Sequence, residues 1–159
     1  MAGRESRACT STTPARGHLS QETLPPHSGS DDSSIANQAL CADISLLFLA
    51  LVEGLSETIL NVGGKRLAFQ FDRQLSDYAS KHAWNALTGL ADLSELREKV
   101  PDVDAGILTS VYLSFSQYAR ALAKRILGTQ LLRSTEHSLR NSLPPHLAAL
   151  NARHRIIPE

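Results

Sequence analysis

The residues best placed to do chemistry stand near the end of the chain, in "TEHSLRNSLPPH" (135–146), where His137 precedes Asn141 by four positions. Residues four apart share one face of a helix, and an imidazole can act as a nucleophile toward a phosphoryl group. Other constellations are weaker. His82 falls on an apolar helical stripe and reads as a core histidine rather than a general base. His137, His146 and His154 lie in the last 23 residues without zinc-ligand spacing. "DVDAG" lacks the later oxygen ligands of a calcium loop, and "NVGGKR" has neither the upstream glycine nor the hydroxyl of a phosphate-binding loop. Asp43, Glu53 and Glu57 are not accompanied by the Glu-x-x-His pairs of a di-iron bundle. No catalytic residue, metal or cofactor is expected, and the chain reads as a non-enzyme.

Around the histidine, the run His137, Ser138, Leu139, Arg140, Asn141, Ser142, Leu143 resembles the H-box of the histidine-kinase dimerisation helix, His-Glu-Leu-Arg-Thr/Asn-Pro-Leu, at five of its seven positions. The resemblance implies a phosphoacceptor role for His137 and a water-positioning role for Asn141. Two departures stand against a kinase. Ser138 replaces the acidic residue that takes the proton, and Pro144 and Pro145 stop the helix where the family's continues. No glycine-rich nucleotide site follows. A degenerate signalling phosphoacceptor is what remains of that reading.

The elements that would position these residues are helical. Ile44, Leu47, Phe48, Leu51, Leu55 and Ile59 recur at three- and four-residue spacing, while Leu46, Leu49 and Ala50 make the opposite side apolar too. A helix apolar on both sides is central in a bundle or shared between subunits. Leu46, Leu47, Leu49 and Leu51 are therefore the candidate self-association residues. A second stripe runs through Ala68, Phe71, Leu75, Tyr78, Ala79 and His82. Gly63-Gly64 before it reads as a helix end followed by a new helix, with a small β-hairpin as the alternative because Leu67, Phe69 and Phe71 alternate. Asp92 and Glu95 have capping-box spacing, Asp104 caps a long helix carrying Leu108, Val111, Tyr112, Phe115, Ala119, Leu122 and Ile126, and Gly128 ends or weakens it. Leu131, Leu132, Leu139 and Leu143 continue the stripe to the proline pair. "HLAALNARH" is a last short helix.

The expected fold is an all-α bundle of about four helices over residues 35–159, following a disordered tail over 1–34. That tail is rich in Ser, Thr, Pro and Gly, with only Leu19 and Leu24 as large aliphatics, too few to offset the entropy of ordering it. It lacks the apolar core of a secretory signal, so a cytoplasmic protein is expected, with an organelle transit or secreted-effector leader left open. The longest apolar run, "LLFLALV", is seven residues, against about 20 for a bilayer span, and no membrane span is expected. Charge is uneven: residues 117–159 hold seven basic and two acidic side chains, residues 35–116 six and ten. No reading motif accompanies the basic end, so nucleic acid is not the expected partner.

Three functions follow from these readings. The first is a regulatory or protein-interaction module that forms a dimer or other homo-oligomer through its apolar helix. The second is the phosphoacceptor at His137. The third is a small-ligand sensor with a pocket among Phe48, Phe71, Tyr78 and Phe115.

Overall fold

The computed structural model describes residues 30–158, and residues 1–29 and Glu159 lie outside the described residues. The expected tail thus falls outside them except for residues 30–34, which belong to a helix. Its elements are α1 (Ser30–Lys81), α2 (Trp84–Thr88), a 3₁₀ turn (Leu93–Arg97), α3 (Ala105–Ser142) and α4 (Pro145–His154). No strand occurs among the described residues. The all-α bundle is as expected, and the β-hairpin alternative at Gly63-Gly64 is overturned, because both flanks are helical.

Neither long helix is straight. A continuous helix would separate residues 16 apart by about 24 Å, yet Ser56 Oγ donates to Asp72 Oδ1 at 3.0 Å and Arg120 reaches Glu136. Each chain reverses at the midpoint of that span. Gly64 (φ 77°, ψ 177°) and Gly128 (φ 78°, ψ 170°) are the non-helical residues inside α1 and α3. Those dihedrals belong to a region open essentially to glycine alone. One residue therefore turns each helix into a hairpin, with arms 30–63 and 65–81 in α1, and 105–127 and 129–142 in α3. Thr135 Oγ1 contacts Thr58 Oγ1 at 3.4 Å, which places both reversals at the same end of a four-armed bundle.

Gly128 lies 64 positions after Gly64, and the same offset relates most core positions of the two hairpins. Cys41, Ile44, Leu47, Phe48, Leu51, Leu55 and Ile59 are buried; so are Ala105, Leu108, Val111, Tyr112, Phe115, Ala119 and Ala123, each 64 residues on. In the returning arms Ala68 and Phe71 correspond to buried Leu132 and Thr135. Cross-arm bonds correspond too, Ser56–Asp72 with Arg120–Glu136. Phe48 stacks on its own equivalent, Tyr112, at 4.4 Å between centroids and 5° between planes. Trp84 closes this cluster, 4.8 Å from Phe115. Such aromatic pairs contribute about 0.5–1.5 kcal/mol each beyond their burial. The molecule is two helical hairpins related by an internal near-twofold through Phe48 and Tyr112.

Loops hold the hairpins in register. Asn37 accepts from Ala105 N at 3.1 Å and donates to Val103 O at 2.9 Å, fixing the start of α3 against α1. Asp104 accepts from Gly106 N and Ile107 N as its N-cap, and Asp92 from Ser94 N and Glu95 N. Both caps are where the sequence puts them. Glu95 reaches back to Ala91 N at 3.2 Å, the reciprocal half of a capping box displaced by one residue. After α4, Asn151 exchanges two bonds of 2.8 Å with the backbone of Ile157 and draws Ile156 and Ile157 into the core. His82 departs from expectation. The helix stops at Lys81 and Ala83 is left-handed (φ 54°), so His82 is exposed and lies on Tyr78 rather than in the core.

Candidate docking face

The core face of the first arm of α1 is spent on the bundle. Leu47 and Leu51 are fully buried, so two of the four leucines read as self-association residues serve the chain's own core. Leu49 is partly buried and Leu46 stays exposed. Farther along α1, Leu60, Val62 and Phe69 are also exposed, residues that helical periodicity does not mark as a contact face. Their signal was legible only as a mismatch, since each is a large apolar residue off the core stripe.

Beside them lies a cleft of about 460 Å³ between α1 and the 3₁₀ turn. Phe48, Leu49, Val52 and Leu75 form its apolar part, with Leu93 and Leu96 closing the far side. Glu53, Glu57 and Asp72 line it as well. Arg97 Nε binds Glu53 Oε1 at 2.8 Å, while Glu57 and Asp72 have no ion-pair partner among the described residues. A groove with an aliphatic and aromatic floor and a carboxylate rim suits a cationic side chain that carries an apolar stem.

The aromatic quartet read as a ligand pocket behaves differently. Phe48, Phe71 and Phe115 are buried, and Tyr78 meets Phe115 edge-on at 5.0 Å and stacks on Tyr118 at 3.8 Å. These rings fill the space between arms by packing on one another. Of the four, Phe48 alone lines the large cleft.

His137 and Asn141 are brought together as the sequence suggested. Both are exposed on the returning arm of α3, with Asn141 Nδ2 3.0 Å from His137 Nε2. In the tautomer protonated on Nδ1, Asn141 Nδ2 donates to Nε2. In that tautomer the Nε2 lone pair, which a phosphoryl group would need, is engaged. The neighbouring carboxylate, Glu136, is buried against Arg120 and is committed to holding the hairpin closed.

Among the described residues no group of His, Cys, Asp and Glu is arranged to hold a metal ion. Part of α1, within Asp32–Lys81, is long and apolar enough to cross a membrane by length and composition, with a mean hydropathy of 1.9 over 18 residues, 33% of them buried in the bundle. Comparison with known families, characterised proteins and solved structures finds no match to this chain.

Proposed function

We propose that the protein is an interaction module without chemistry of its own, which self-associates through the exposed side of its first hairpin. One observation carries the reading. The two hairpins bury largely equivalent core positions, so the second serves as an internal standard for what a solvent-facing position holds. At exposed positions the first hairpin carries Leu46, Leu60 and Phe69, at 50%, 42% and 69% exposure. The equivalents 64 residues on, Ser110, Lys124 and Arg133, are polar and exposed. Among the described residues, Ile107 is the one large apolar residue exposed in the long helix of the second hairpin; three apolar side chains kept in water on the first, at positions where the second is polar, mark a surface with a partner.

The same comparison supplies the experiment. Leu46→Ser, Leu60→Lys and Phe69→Arg install the second hairpin's own residues in the first, where the backbone environment is the same. The expected result is a triple variant with the wild-type far-ultraviolet circular dichroism spectrum, a thermal midpoint that no longer rises with concentration, and a solution mass reduced to one chain by light scattering. An assembly that persists in the triple variant removes the reading.

A further inference from the structure

The offset of 64 relates two carboxylates whose neighbours differ. In the second hairpin, Glu136 is 3% exposed and takes the guanidinium of Arg120. In the first, the equivalent carboxylate is Asp72 and the residue equivalent to Arg120 is Ser56, bonded to it at 3.0 Å. A serine carries no charge and fills far less space than an arginine. Ser56 and Asp72 both line the 460 Å³ cleft, whose rim gains a further carboxylate at Glu57 where the second hairpin has Ala121. The first hairpin thus holds the second's carboxylate site with its arginine missing.

Charge indicates where a replacement comes from. Residues 30–93 hold eight acidic and four basic side chains, net −4, whereas residues 94–157 hold five and nine, net +4. Lys124, Arg125 and Arg133 flank the Gly128 reversal, exposed and without an ion-pair partner among the described residues. We propose that the cleft of the first hairpin receives this basic reversal of a second copy of the chain. A guanidinium meets Asp72 and Glu57 while its stem covers the apolar floor. The proposal rests on the self-association reading and names its partner surface.

The geometry adds a constraint. Hairpins exchanged by a near-twofold turn their equivalent outer faces in opposite directions, and Lys124 is the equivalent of the cleft residue Leu60. Donor and acceptor are therefore separate surfaces, the contact is heterologous, and each copy can give and receive at once.

The test is the light-scattering mass of the full chain across a concentration series. Four samples are compared: wild type, Ser56→Arg, the double variant Arg125→Glu/Arg133→Glu, and an equimolar mixture of the two variants. Ser56→Arg copies Arg120 and fills the cleft from within; Glu57→Ala, also the second hairpin's residue, is the alternative cleft variant if Ser56→Arg does not fold. The wild type should grow in mass with concentration and fall toward one chain in high salt, where the screening length shrinks to about 3 Å at 1 M. Each variant alone should stay at one chain. The mixture should stop at two, because it contains one working cleft and one working basic turn per pair. A cleft variant that assembles like the wild type, or a mixture that remains at one chain, overturns this proposal and leaves self-association standing. A wild type of one chain at every concentration overturns both.

Discussion

Substituting alanine for the two reversal glycines separates a folded hairpin from a continuous helix by the sign of the effect. In an uninterrupted helix, Gly→Ala stabilises by about 1 kcal/mol. At Gly64 and Gly128 the backbone lies at φ 77° and 78°, and a Cβ built at either meets no atom within 4 Å. The penalty is therefore conformational alone. Holding a residue with a Cβ in that region costs about 1–3 kcal/mol, partly offset by the 0.4–1 kcal/mol that alanine removes from the unfolded chain's entropy. Each substitution should cost about 1–2 kcal/mol, or roughly 4–8 °C in thermal midpoint for a domain of this size. The equivalence of the hairpins makes a second demand: Gly64→Ala and Gly128→Ala should shift the midpoint by similar amounts. Thermal unfolding followed by far-ultraviolet circular dichroism measures both. A gain in stability at either site would refute the reversal there, and with it the pairing of Ser56 with Asp72 or of Arg120 with Glu136.

Arg120→Met should destabilise by about 2 kcal/mol, below the 3–5 kcal/mol typical of a broken buried pair because the arginine is still partly wetted. Replacing Arg120 and Glu136 together by Met and Leu should recover most of the loss, and chemical denaturation of the single and double variants distinguishes the two outcomes. Burial, reinforced by the Asp104 and Asp102 charges, pushes the Cys41 thiol above its ordinary 9.0, and burial raises Tyr112 as well. In both cases the unfolded chain ionises first, so the stability these groups contribute is complete below pH 9 and is lost as pH rises through their folded values. Denaturation midpoints should fall above pH 9, with a shallower slope in Cys41→Ala; in a Cys9→Ser background, a thiol reagent should modify Cys41 only as fast as the chain opens. With Glu136 held by Arg120, no neighbouring carboxylate is free to take a proton from His137, so phosphoramidate should label the wild type and His137→Gln equally; a labelling difference would favour the phosphoacceptor reading.

Helix caps and core stripes were legible in the chain because they are local. Asp92 and Asp104 need only a backbone N–H two or three residues away, and Ile44, Leu47, Phe48, Leu51, Leu55 and Ile59 declare a buried face by spacing alone. The internal repeat was not legible. Across residues 40–79 and their equivalents, identities are confined to Leu49 with Leu113, Gly64 with Gly128, Leu67 with Leu131 and Leu75 with Leu139. Burial constrains apolarity and fit rather than residue type, so Phe48 and Tyr112, or Leu51 and Phe115, fill equivalent places without matching. Gly63-Gly64 could be read as a helix break or as the turn of a β-hairpin but not as a reversal between two helical arms, since the dihedrals are fixed by what the arms do after the turn.

The candidate docking face shows the same division. Spacing assigned Leu46, Leu47, Leu49 and Leu51 to one apolar helix, but which of them meet water depends on where the second hairpin packs. α3 covers Leu47 and Leu51 and leaves Leu46 outside. His137 and Asn141 were paired by the sequence itself, because an i, i+4 step on a helix is a local fact. The cleft at Asp72 exists only because the arms of α1 fold back on each other and the 3₁₀ turn closes beside them. Local hydrogen bonding and periodicity set the helices, their caps and the composition of the core. The exposed and the buried sides of each helix, and the missing arginine of the first hairpin, follow from contacts between residues far apart in the chain, which only the folded structure brings together.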